Sequence, residues 1–268
     1  MQTLISNDAK GPSSGFRQMM NVMHAVILRD IRSRFFNHGL GFLIVPLLPL
    51  AHVGLLLTIY HVTNREVVFG DDLQLFFATG LAPALGFNYL SRFMSVSLQA
   101  NKGMTAFPVV RVLDIMLARA FLEFMGMNLA IFVLLIALTI SGSDIFPRDP
   151  AAALQAYAVT MTMGVGVGII ISVFAAIWPL AALFWALFIV VLYLASDGPI
   201  YLHAFPGSVL QAASWNPVFH AVQWVRSAYY PGYPTEYLDK TYLISWAFAS
   251  VAVGLLLERL LKRQILRG

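Results

Sequence analysis

The sequence predicts an all-α polytopic membrane protein with six transmembrane helices, and three observations predict it. Only 11% of its 268 residues are charged and 59% are hydrophobic, where a soluble domain carries about a quarter charged residues. The mean hydropathy is +0.75. Residues 150–196 run without a charge; as one helix they would measure about 70 Å, over twice the bilayer core, so they must fold as two spans.

The elements follow in order within a single domain, 1–268. Residues 1–15 are polar, with Gly-Pro-Ser-Ser-Gly at 11–15, and read as a tail. They lack a basic stretch followed by an apolar core, so no cleaved signal peptide is expected. Residues 16–36 form an N-terminal amphipathic interface helix: Phe16, Met19, Met20, Met23, Ile27 and Ile31 make one stripe, and Arg17, His24 and Arg32 lie off it. A basic amphipathic helix lies in the membrane interface rather than across it. Spans are predicted at about 39–60, 73–92, 115–140, 151–172, 178–196 and 241–258. Pro46 and Pro49 should bend the first, and Pro83 lies inside the second. The break between the fourth and fifth falls within Ser172–Pro179, where Trp178-Pro179 supplies an interfacial aromatic and a fresh helix start.

Before the last span, 197–238 is predicted to be an external re-entrant or interfacial helical hairpin. Asn216-Pro217 is a helix start, a side-chain cap followed by proline at the first helical position. The helix after it is too short to span. Orientation comes from Lys and Arg. With the N-terminus inside, thirteen of the seventeen fall on the inner side, and only Arg65, Arg148, Arg226 and Lys240 fall outside. Both termini and the stretch 98–112 are then cytosolic.

Several chemistries are excluded. The chain has no cysteine, so it has no disulfide, thiolate metal site or thiol nucleophile. It has no phosphate-binding Gly-rich loop ending in Lys-Ser/Thr, and none of the common hydrolase, zincin or dinucleotide motifs. His52 lies mid-span and reads as a neutral histidine hydrogen-bonded to a neighbouring helix. Arg119 and Glu123 share one helix face and should pair with each other, or with Asp114. Gly164, Gly166 and Gly168 permit close helix contact, within the chain or at a dimer seam. The external aromatics beside His220, Gln223 and Arg226 suit the flat faces and hydroxyls of a sugar polymer, or else a membrane-interface belt.

The order of elements, with RDIRSRFF at 29–36, Asn101–Glu123 and Trp215–Arg226, resembles the permease subunit of bacterial ABC-2 type polysaccharide exporters, the capsular polysaccharide branch above all. The resemblance implies a channel-forming homodimer in the inner membrane, bound to two copies of a separate ATPase. It implies a lipid-linked polysaccharide as substrate, with a periplasmic adaptor and an outer-membrane export protein as further partners and no nucleic acid. The chain itself would bind no cofactor and be no enzyme; ATP and Mg would act through the ATPase. Coupling to the ATPase would fall to Arg29, Arg32, Arg34, Asn101, Lys102, Thr105, Phe107 and Arg111. The substrate path or gate would involve Trp215, His220, Trp224, Arg226, Tyr229, Tyr230 and Tyr233. Family members often carry a carboxylate where this chain has Gln223, so an ion pair of Arg226 is not carried over. A transporter without a phosphate loop needs a docking surface for its motor. Pro108 should end a short helix near Gln99–Phe107 that serves as one. The alternatives are an ABC-2 permease for O-antigen, teichoic acid or lipophilic drugs, or a membrane-embedded glycan- or lipid-modifying enzyme built on Asp197, His203 and His220.

Overall fold

The structure, a computed structural model, describes residues 12–34 and 41–267, with side chains for 15–32 and 45–266. The tail at 1–11 and the junction at 35–40 lie outside the described residues. Among the described residues the secondary structure is helical: α1 Pro12–Arg34, α2 Gly41–Val62, α3 Leu73–Ser95, α4 Ser97–Ala100, α5 Val112–Ile140, α6 Pro150–Ile177, α7 Leu180–Leu194, α8 Gly207–Ala213, α9 Pro217–Tyr229 and α10 Lys240–Arg267.

Local chemistry sets many of these ends. Asp72 Oδ1 accepts from the Gln74 and Leu75 amides (2.8 and 3.2 Å) and starts α3. Asp149 accepts from Ala152 N at 3.0 Å, and Pro150 opens α6. Asn216 accepts from Val218 N at 3.0 Å, and Pro217 opens α9 as the sequence predicts. Such caps contribute about 1 kcal/mol each. The long apolar run breaks at Trp178-Pro179, the C-terminal edge of the predicted interval. α6 therefore continues five residues beyond the expected end at 172.

By length and composition four stretches can cross a membrane: Val45–Val62, Val112–Ile140, Pro150–Ile177 and Lys240–Leu266. The other two predicted spans fall short of that standard. α3 has 23 residues but is less apolar. α7 has 15, about 22 Å against a core of about 30 Å. α3 is also closely enclosed, touching α2, α5, α6, α7 and α9 and leaving no residue fully exposed. Its low apolarity follows from facing protein rather than lipid.

Four local expectations are corrected. The buried side of α1 is Val22, Val26 and Asp30, while Phe16 and Met20 are exposed; the stripe is rotated because α1 packs on α5. Pro12–Gly15 belong to α1 rather than to the tail. The docking segment is not one helix: α4 ends at Ala100, a 3-10 turn spans Lys102–Ala106, and Phe107 is extended before Pro108. α10 also outruns its predicted end at 258, and Ile265 joins Val22, Val26, Met94 and Val173 in one apolar cluster.

Candidate functional site

The glycines of α6 are all used inside the chain. A Cβ on Gly164 would meet Leu90 at 3.1 Å, one on Gly168 would meet Met94 Cβ at 2.6 Å, and one on Gly166 would meet the α10 backbone at Val251 N, 2.5 Å. α6 is thereby clasped between α3 and α10, and the two polar constellations below hang from opposite ends of that core.

At one end lies the 98–111 stretch. Ser97 Oγ and Ser172 Oγ are 2.9 Å apart in a buried contact, and Gln99 Nε2 donates to Ala175 O at 2.7 Å. These bonds fix α4 to the end of α6. Asn101 is fully buried; its Nδ2 donates to Ser97 O at 3.1 Å and its Oδ1 accepts from Arg29 Nη1 at 3.2 Å. Arg29 thus ties α1 to the stretch. Beyond this anchor, Lys102, Phe107 and Arg111 are exposed and Thr105 is half-buried, its hydroxyl donating to Lys102 O. Arg32 is exposed on α1, and the Arg34 side chain lies outside those described. A cavity of about 560 Å³ separates α1 from the stretch, lined by Val22, Met104, Phe107 and Val109 among others.

Beneath it, Arg119 Nη1 meets Asp30 Oδ2 at 2.8 Å and Arg119 Nε meets Glu123 Oε1 at 3.0 Å, all three nearly sealed from solvent. The expected Glu123 pair is present. Asp30 of α1 is the partner that sequence reasoning missed. Asp114 instead accepts from the Arg111 amide at 3.2 Å and starts α5. The available signal was an aspartate on the same face as Val22 and Val26.

At the other end, α7 stops short and Asp197 follows it with φ +64°, fully buried. Asp197 Oδ2 accepts from Arg226 Nη1 (2.8 Å), Gln223 Nε2 (2.8 Å) and Tyr233 Oη (3.1 Å), while Oδ1 accepts from the Leu202 amide. Arg226 also donates to Gly198 O at 3.3 Å and lies 4.1 Å over the Phe76 ring. Gly80 of α3 leaves room for it, since a Cβ there would sit 2.5 Å from Arg226 Nη2. Arg226 therefore has an ion pair, supplied by Asp197 rather than by its own helix.

The other residues expected on a substrate path are placed as follows. Trp224 and Tyr233 are buried, Tyr229 and Tyr230 half-buried, and Trp215 is 79% exposed. His220 is buried at the root of α9, where its Nε2 donates to Ser214 O at 2.8 Å and its Nδ1 accepts from the Asp239 amide at 3.0 Å. It therefore staples α8 to the start of α10 as the neutral imidazole. His203 touches Gln223, but His220 meets neither His203 nor Asp197 in these bonds, so the three do not converge as an acid/base cluster.

Burial lowers the pKa of His220 from 6.5, with the Ser214 bond and Asp239 acting in opposition. Below that value the unfolded chain takes up a proton that the folded state resists, so stability falls as pH falls. We expect the melting temperature in detergent to drop between about pH 7.5 and 5.5, and to drop less in His220→Gln, which keeps a donor and an acceptor. An equal drop in both proteins would remove His220 from the effect.

An all-helical chain with several bilayer-length apolar helices and a sealed polar anchor at one end is a multi-pass membrane protein. No protein-family model matches it. The chain is 28% identical over 247 residues to the polysialic acid transport protein KpsM of Escherichia coli, covering 92% of this chain and 95% of KpsM. It is 23% identical over 253 residues to the capsule polysaccharide export inner-membrane protein BexB of Haemophilus influenzae, covering 93% and 96%. To the capsule polysaccharide export inner-membrane protein CtrC of Neisseria meningitidis serogroup B it is 23% identical over 234 residues, 87% and 88% of the two chains. The resemblance to capsular polysaccharide export proteins of the inner membrane thus extends over nearly the whole chain.

Proposed function

We propose that the chain is the channel-forming permease of an ATP-driven exporter that moves lipid-linked capsular polysaccharide across the bacterial inner membrane. The observation that carries this reading is the end-to-end likeness to KpsM, BexB and CtrC. In it α2, α3, α5, α6, α7 and α10 are the six spans and both termini are cytosolic. The chain works as a homodimer with two ATPase copies, which bind the ATP and Mg.

The 98–111 stretch is the ATPase contact. Its exposed Lys102, Phe107 and Arg111 meet the ATPase, while the anchors from Asn101 to Arg29 and from Gln99 and Ser97 to α6 carry the movement inward. At the periplasmic side α7 ends partway across the bilayer and α8–α9 fill the remaining depth. This is supported by the contact of Arg226 with Gly80, eight residues into α3. In this reading α9 and its aromatics are the gate, held shut or released as one body.

Two measurements test the proposal. The chain should co-purify with an ATPase encoded beside it. Because the chain has no native cysteine, a cysteine at Thr105 should crosslink to that ATPase, whereas one at Trp215 should not. Absence of crosslinking at 105 together with failure to co-purify would refute the reading.

A further inference from the structure

Mid-span His52 has the hydrogen-bonding neighbours expected of it: its Nε2 lies 3.3 Å from Tyr193 Oη and its Nδ1 3.5 Å from Tyr89 Oη. Another group of charges has no such partners. A cavity of about 760 Å³ opens where the C-terminal ends of α2, α5 and α9 meet the N-terminal end of α3. Asp71, Asp72, Asp144 and Arg148 all line it. None of the four is in an ion pair among the described residues. Asp72 uses Oδ1 to start α3, and Asp144 Oδ1 accepts from the Phe146 amide at 3.4 Å. Carboxylates and a guanidinium thus share one cavity without meeting.

Its walls are tied to the helices. Asp149 N donates to Ala228 O at 2.9 Å, which holds the 141–149 loop against α9. Arg65 lies 4.9 Å from the centres of both the Tyr60 and Phe77 rings, which holds the 63–72 loop across α2 and α3. Gly70, with φ +73°, lets that loop close on α9: a Cβ there would lie 2.8 Å from Tyr230 Cε1. Charges of both signs on walls fixed in this way cannot collapse onto one another, so a ligand that carries both signs can bridge them.

The level of the cavity names the surroundings of that ligand. Val45–Val62 and Val112–Ile140 are bilayer-length stretches. The cavity takes Tyr60 and His61 from the end of the first and begins at Ser141 just beyond the second. It therefore lies at the edge of the hydrocarbon core, in the headgroup layer. Beside it Val62, Ile140 and Phe146 are 71%, 82% and 78% exposed. Three large apolar side chains around one charged cavity suit the boundary between acyl chains and headgroups, not bulk water.

We propose that this cavity binds the headgroup of a zwitterionic membrane lipid with a primary ammonium, phosphatidylethanolamine in class. Asp71, Asp144 and the second oxygen of Asp72 accept from the ammonium, which has three N–H donors, and Arg148 meets the phosphate. Tyr229, half-buried on the same wall, offers its ring to the cation. A bound headgroup joins the loops after α2 and α5 to the end of α9. The site depends on the chain's lying in a membrane and not on export.

Full-length chain, purified in detergent and stripped of lipid, is melted with added phosphatidylethanolamine, phosphatidylcholine or phosphatidylglycerol, and native mass spectrometry counts the lipids retained. Saturating phosphatidylethanolamine should raise the melting temperature by about 5 °C or more. Phosphatidylcholine has the cation but no N–H donor, and phosphatidylglycerol has no cation, so each should give less than half that rise. Asp71, Asp144 and Arg148 are exposed, so Asp71→Asn with Asp144→Asn, and Arg148→Gln, should fold normally. The Asn pair should lose the rise, and Arg148→Gln should need several-fold more lipid for it. Ser143→Trp crowds the cavity and removes no charge; it should lose the rise as well, and it decides the matter if the Asn pair folds poorly. An equal rise with all three lipids, or none with any, overturns the headgroup assignment. A phosphatidylethanolamine-specific rise that survives in both the Asn pair and Ser143→Trp puts the lipid elsewhere and overturns the site. A rise given by an oligolysine peptide and by no lipid, lost in the Asn pair, makes the cavity a dock for a basic protein segment and overturns the lipid. None of these results touches co-purification with an ATPase, on which the exporter reading is tested separately.

Discussion

Arg226→Met should cost about 3–5 kcal/mol of stability, whereas Asp197→Asn combined with Arg226→Met should cost about 1 kcal/mol or less. The single change leaves the Asp197 carboxylate buried, with only the neutral donors Gln223, Tyr233 and Leu202 around it. An uncompensated buried charge is the expensive outcome; the intact pair itself contributes little beyond the cost of its desolvation. Asparagine is chosen for position 197 because it accepts the left-handed backbone there, φ +64°, and keeps an acceptor for the Leu202 amide. Detergent-resistant folding, followed by tryptophan emission or by denaturant titration, reads the difference. Should the double variant prove as unstable as Arg226→Met, the guanidinium matters through its packing on Phe76 and into the space left by Gly80, not through its charge. In the exporter reading the same experiment has a second readout. Arg226→Met frees α9 from α3, so a gate held by this pair would leak or lose polymer export before the remaining helices unfold.

The four helices long and apolar enough to cross a membrane were legible because uncharged length is a property of the sequence alone. The starts of α6 and α9 were legible because Asp149-Pro150 and Asn216-Pro217 combine a side-chain acceptor with a proline that needs no amide bond. What escaped was anything that depends on a distant partner. α1 carries apolar residues on two sides, Val22 and Val26 on one, Phe16 and Met20 on another. Composition does not say which side meets α5 and which meets solvent or lipid. Asp30 and Arg119 are 89 residues apart, and Asp197 and Arg226 are 29 apart. No local spacing rule links such pairs. The 98–111 stretch misled for a different reason. Its length suits a helix, but Gly103 and Pro108 interrupt it, and its order comes from side chains reaching Ser172 and Ala175 of α6. The connection from the 98–111 stretch to the membrane thus runs through α6, which makes the packing of α6 the next point to test.

Gly166→Ala should separate α6 from α10, at a cost in the upper part of the overpacking range of about 1–3 kcal/mol or above it. The added methyl would lie 2.3 Å from Ser250 Oγ, 2.5 Å from Val251 N and 2.7 Å from Ser250 C. Two of these three atoms are backbone, so rotamer changes cannot relieve the overlap and one helix must shift. The contact is reciprocal: a Cβ on Gly254 would stand 3.1 Å from Gly166 O. Gly164→Ala is the control, because its nearest neighbour is Leu90 Cδ2 at 3.1 Å, the movable end of a side chain. It should cost less than about 1 kcal/mol, since alanine also favours the helix over glycine by roughly that amount. Gly54→Ala meets nothing within 4 Å, so in an isolated protomer it should be neutral or stabilising. Thermal unfolding of the three variants decides between the two roles the glycines could have. A large loss at 166, with little at 164 and 54, places the close approach inside the protomer. Equal small effects at 164 and 166, with a loss at 54 that depends on protein concentration, would instead move the tight contact to α2 and to a seam between copies.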